Sequence, residues 1–227
     1  MKKTIFIALL TFSMTQAAFS QHVRFGLTFS PQYAWMKSSN LDFGADNMQV
    51  TNTGGKLGFD YGLLLDFILD NNERYAFGTG LVISHTGGNL TTKTQDSTGA
   101  LLLTIDQNIK LQYIEIPLTF RLRTNEIGYL TYYGQFGLDL GIGIAKRVDQ
   151  TYTPDPTNLS GINLKLANFI PLNLGLYISG GVEYSLSGNT SLLVAPFFKN
   201  GFTNVINDGD KEKTAINNIG LRLGILF

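Results

Sequence analysis

The feature that most constrains this chain is a period of two. From Val23 the apolar side chains take every second position (Val23, Phe25, Leu27, Phe29, then Pro31, Tyr33 and Trp35), with Arg24, Gly26, Thr28, Ser30, Gln32 and Ala34 between them. Successive side chains of an extended backbone point to opposite faces, so this run is a strand with one oily face and one small or polar face. The alternation recurs in residues 58–69, 75–84, 114–123, 135–144, 172–184 and 218–227. An eighth segment, 191–202, is apolar on both parities, and its facing stays open.

The connections between these eight segments alternate in length. They are residues 37–53, 70–74, 87–106, 124–128, 147–171, 186–189 and 203–213, with the short ones polar and rich in Asn or Gly. Long loops at one end and short hairpin turns with both termini at the other are the plan of an outer-membrane barrel. The expected fold is therefore all-β, an eight-stranded antiparallel up-and-down transmembrane β-barrel. A soluble lipocalin-like barrel has the same strand count, with the oily face inward and a charged face outward. Here the non-oily face is too rich in glycine and too sparsely charged for a solvated exterior, and it suits the inside of a narrow barrel.

Composition supports the same reading. Of 227 residues, 25 are glycine and 15% are charged, against about 25% in a typical soluble domain. Seventeen basic residues balance seventeen acidic ones, so no nucleic-acid partner is expected. The absence of cysteine excludes disulfides, thiol nucleophiles and Cys-ligated metals. Mean hydropathy is +0.07, yet no apolar stretch is long enough for a spanning helix, which needs about 20 residues.

Residues 1–20 carry Lys2 and Lys3, the apolar run IFIALLTF, and small residues ending Ala18-Phe19-Ser20. This is the pattern of a cleaved secretory signal peptide, with the barrel domain expected over residues 21–227. Its removal takes two lysines and leaves the rest slightly acidic.

On the inward parity stand Arg24, Asp60, Asp66, Glu115, Arg121, Asp139, Glu183 and Arg222. Closing the barrel gathers both signs of charge, and a buried charge is tolerated only when paired. An interior polar network that plugs the lumen is expected from these residues. Aromatic residues cluster at strand ends. Phe25, Phe67, Tyr75, Phe77, Phe120, Tyr129, Tyr184 and Phe227 lie toward the short turns, and Tyr33, Trp35, Phe59 and Tyr61 toward the long loops. Two such belts mark the two membrane interfaces. Pro117, and less firmly Pro196, lacks the N–H a ladder needs, so a bulge or local break is expected there.

The stretch YIEIPLTFRLR at 113–123, LGLYISGGVEY at 174–184 and the closing LRLGILF resemble the PorT-like outer-membrane β-barrel family. The resemblance implies an eight-stranded barrel in the bacterial outer membrane, and its namesake is tied to type IX protein secretion. Where relatives carry charges in the seventh strand, this chain has Ala195 and Phe197, while Gly201, Thr203 and Asn204 match the family's strand end. Phe227, after Ile225, Leu223 and Leu221, looks like the C-terminal insertion signal read by the barrel-assembly machinery.

Little points to chemistry. Of two histidines, His22 follows the cleavage site and His85 stands beside Ser84 at the outer rim. A rim Ser/His pair is the one enzymatic alternative, lipid-modifying or hydrolytic. Asp208-Gly209-Asp210-Lys211-Glu212 offers oxygens but no calcium-loop spacing. No catalytic residue, cofactor or metal is expected. The reading is a monomeric, non-enzymatic outer-membrane protein held by lipid, acting through its outer loops or with an envelope protein partner. The competing class is a small-solute pore.

Overall fold

The computed structural model describes residues 23–37, 47–155, 158–166, 168–188, 190–206 and 214–227. The signal segment 1–20, His22 and the acidic run 208–212 lie outside the described residues. Ten strands follow one another: β1 (Val23–Lys37), β2 (Met48–Gly54), β3 (Lys56–Ile68), β4 (Tyr75–Gln95), β5 (Leu101–Arg123), β6 (Leu130–Thr153), β7 (Gly161–Lys165), β8 (Leu172–Ser187), β9 (Thr190–Gly201) and β10 (Ala215–Leu226). Among the described residues no helix is long and apolar enough to cross a membrane.

Eight of the strands close into a ring, β1–β3–β4–β5–β6–β8–β9–β10 and back to β1, each pair antiparallel. The closing seam pairs the chain's two ends. Phe25 and Phe227 exchange backbone hydrogen bonds of 3.3 and 2.7 Å, and their rings stand 5.5 Å apart. Closure leaves no ladder edge in the bilayer, where an unpaired backbone group costs several kcal/mol.

The alternation decides the facing. Phe25, Leu27 and Phe29 are at least half exposed on the outside, while Thr28, Ser30 and Gln32 are buried in the lumen. From Phe25 to Trp35 on β1 is ten steps, or about 33 Å of strand, which at a tilt of about 40° spans about 25 Å of bilayer. The lower belt includes Tyr129 against Tyr184 at 6.1 Å. The upper belt includes Trp35, with Tyr33 at 6.2 Å and Phe198 at 6.3 Å.

All three long expected loops contain strand, and residues 87–106 are mostly strand. β4, β5 and β6 run 21, 23 and 24 residues, about twice the 9–11 that crossing a bilayer takes. Residues 87–106 are therefore a hairpin standing above the membrane, not a loop. β2, within the expected loop 37–53, pairs with upper β4, and β7, within 147–171, pairs with upper β6. The five strands β2–β4–β5–β6–β7 form a wall on one side of the mouth. Thr91, Thr92 and Thr94 explain the difference: threonine is polar but β-branched, so it reads as loop by hydropathy and as strand by backbone preference.

Proline leaves local breaks without bulges. Pairing lapses between Phe29 and Gln32 around Pro31, opposite Pro117 between Gly78 and Val82, and between Val194 and Phe197 around Pro196. The register resumes unchanged in each case. The β5–β6 ladder shifts register between Gln112 and Tyr113, above Pro117.

Candidate functional site in the lumen and outer head

The inward faces of the strands build two ionic groups inside the barrel. The lower one centres on Glu183 of β8. Its Oε2 accepts from Arg24 Nη1 and Nη2, both at 3.1 Å, and from Arg123 Nη2 at 2.7 Å. Its Oε1 accepts from Arg121 Nη1 at 3.3 Å, and the same nitrogen donates to Asp66. Arg121 is fully buried, donates through Nη2 to Gln135 Oε1 at 3.1 Å, and lies 4.8 Å over the Tyr133 ring.

The upper group centres on Lys199 of β9. Its Nζ donates to Asp60 at 2.8 Å and Glu115 at 2.5 Å, with Asp139 at 3.4 Å. Gln32 donates to Asp60 and to Ser84, and its Oε1 accepts from Asn218 at 2.9 Å. Six strands thus meet across the lumen through charge-assisted bonds, about twice as strong as neutral ones.

Seven of the eight residues expected in an interior network make these ion pairs, but in two separate groups. The eighth, Arg222, is buried between Tyr177 and Phe197 and makes no ion pair among the described residues. Two participants are not among the eight expected residues, although Arg123 shares the parity of Arg121. Arg123 is inward at the end of β5 and also reaches Glu73 at the rim, 3.2 Å away. Lys199 lies in the segment whose parity was ambiguous. Leu193, Ala195 and Phe197 share its inward face, and Lys199 is the only charge in that segment. On the other parity it would set its ammonium on the apolar outer wall beside Phe198, so a lone charge is a signal for the inward orientation.

Above the charges the lumen becomes apolar. Met36, Val50, Leu90, Ile109, Leu111, Tyr113, Val148, Leu166, Val205 and Ile216 form one buried cluster, with Phe169 and Ile206 packed on it. Gly143 makes room: a Cβ there would lie 2.3 Å from Phe169 Cζ. A cavity of about 240 Å³ lies against this core, with Met48, Gln107 and Thr214 among its walls.

Ser84 and His85 do not form a pair. Ser84 is buried in the lumen beside Gln32, while the His85 ring stacks on Phe59 at 4.5 Å on the outer wall. Consecutive strand residues face opposite ways, so a dyad from these two is excluded by geometry.

A closed antiparallel ring of eight strands, oily outside and charged inside, defines an integral barrel of the bacterial outer membrane. The chain belongs to the family described as outer membrane protein beta-barrel domain, which matches it over residues 16–207. Among solved structures it is similar to Neisserial surface protein A (14% identity, TM-score 0.46, covering 89% of this chain and 95% of that one). It is also similar to Ail, the attachment invasion locus protein of Yersinia pestis (14% identity, TM-score 0.36, covering 90% and 97%). A third is the outer membrane protease OmpT of Escherichia coli (9% identity, TM-score 0.38, covering 92% and 98%). No curated protein sequence matches the chain.

Proposed function

We propose that this barrel is a closed, non-enzymatic, monomeric stave whose work is done by its outer head, through surface interaction or as part of an envelope assembly. The observation that carries the reading is the filling of the lumen: two ionic groups, then an apolar core, occupy the space a conducting path would need. Eight strands enclose an interior just wide enough for side chains. Meanwhile the longest strands continue outward, which a mere membrane plug does not require.

The 113–123 strand favours an envelope partner of the kind PorT-like proteins serve. Phe227 anchors the last strand against Phe25, and the same terminal aromatic suits recognition by the barrel-assembly machinery. Reconstitution in planar bilayers tests the reading. Silence is expected at all voltages, and stable ion-sized steps would favour a pore. Crosslinking on cells, compared with a variant trimmed at residues 96–100, should then lose its partner bands.

A further inference from the structure

Among the described residues, Arg222 has no carboxylate partner. It is 2% exposed, and its Nε and Nη1 have no hydrogen-bond partner. Its guanidinium carbon lies 4.7 Å over the Tyr177 ring and 5.9 Å from that of Phe197. Gly220 allows this seating, because a Cβ there would come within 2.6 Å of Phe197 Cζ. Ring faces attract the cation but accept none of its N–H bonds.

Four buried hydroxyls without partners stand on the inward faces of β1, β6 and β8. Ser30 lies opposite Arg222 in the register that the pairs Phe29–Leu223 and Gln32–Gly220 bracket. Tyr177 and Ser179 stand on β8, one strand beyond β9, and Tyr133 on β6 is reached across Ala195 and Gly181. Ser30 Oγ, Tyr133 Oη, Tyr177 Oη and Ser179 Oγ are all buried and unbonded. Each can donate a proton, as can both free nitrogens of Arg222. The nearby acceptors are taken: Glu183 and Asp66 already serve Arg24, Arg121 and Arg123. Glu73 at the rim takes only Arg123, and Asp60, Glu115 and Asp139 are held by Lys199, so Arg222 is left with N–H donors and no acceptor of opposite charge among the described residues.

We propose that Arg222 and these hydroxyls bind a small inorganic anion of chloride size inside the barrel. A larger organic anion does not suit the enclosure, bounded by Tyr133, Leu193, Ala195 and Leu226 on one side and by the Lys199 group on the other. Water meets the hydrogen bonds but not the charge. The ion would be taken up as the barrel closes, so its effect is read on folding.

The test is unfolding of the full barrel in detergent micelles, refolded in chloride or in gluconate at constant ionic strength. Above the dissociation constant, about a tenfold rise in chloride should lower the unfolding constant about tenfold. Gluconate should not, and Arg222→Met should abolish the chloride dependence. Crystals grown in bromide should show an anomalous peak at the Arg222 guanidinium. The proposal is overturned if the wild type unfolds identically in both salts, or if the dependence persists in Arg222→Met. Should that variant fail to fold, the bromide peak decides alone: density at Arg222 without anomalous signal means water and ends the idea.

Discussion

The membrane band and the outer head are made from the same strands with opposite polarity. On β5 the inward residues Arg121, Thr119 and Glu115 belong to the charged lumen, while Tyr113, Leu111 and Ile109, also inward, belong to the apolar core. The outward face changes in the reverse sense, from Leu63, Leu81 and Phe136 in the band to Lys93, Lys110 and Asp149 above it. The solvent decides. In lipid the exterior must be apolar, and ionic pairs are left to fix the interior. In water the hydrophobic effect acts between strands again, and the core returns to the inside.

The sharpest break of this contrast is Glu183→Ala. It removes the carboxylate that Arg24, Arg121 and Arg123 share and leaves Arg24 without an ion pair among the described residues, and losing one partner of a buried pair costs about 3–5 kcal/mol. Denaturant unfolding in micelles should show that loss across the whole barrel. Ile109→Ala attacks the other region. It should cost about 2–5 kcal/mol for a buried aliphatic truncation, felt as faster amide exchange in upper β4, β5 and β6 with the band still protected. Leu63→Arg should cost about 2–4 kcal/mol where the wall meets lipid. Ile162→Arg, on the exposed face of β7, should change stability by less than about 0.5 kcal/mol.

The smallest effect is acidic loosening of the hairpin tip. Hydrogen bonds from the Thr98 hydroxyl, and then from the Ala100 amide, hold the Asp96 carboxyl below its ordinary range. The Asn163 amide, and then Lys110, does the same for Asp149. A depressed carboxyl contributes stability above its unfolded value of about 3.9, which is lost as pH falls through the folded value. Amides of residues 96–100 should therefore exchange faster, relative to an unfolded peptide, as pH drops below about 4. Asp96→Asn should remove the pH dependence.

Much of this was legible from alternation alone. That Arg24, Asp66, Arg121 and Glu183 share the lumen needs only parity and closure, since lipid forbids the other face. The division into two ionic groups was not legible, because shear sets which rows share a level and no single strand records it. Lys199 was obscured by apolar neighbours on both parities. The upper strands were obscured for a different reason: with Asn89, Thr91 and Lys93 on one face and Leu90 and Thr92 on the other, polarity fell on both. The opposite facing of Ser84 and His85 was available from the period of two. Arg222 was placed correctly in the lumen, but its lack of a carboxylate depends on how Phe197 and Tyr177 fill the space.

The reversal of polarity along one wall can be measured directly because the chain has no native cysteine. Single cysteines along β4, spin-labelled in bilayers, report contact with lipid by oxygen access and with water by access to a polar nickel chelate. Labels at Phe77, Leu81 and Ile83 should see oxygen, those at Asn89 and Lys93 should see nickel, and one at Leu90 should see neither. Oxygen access that continues unchanged through Lys93, or nickel access at Leu81, would contradict a membrane band ending near His85 with a water-exposed head above it.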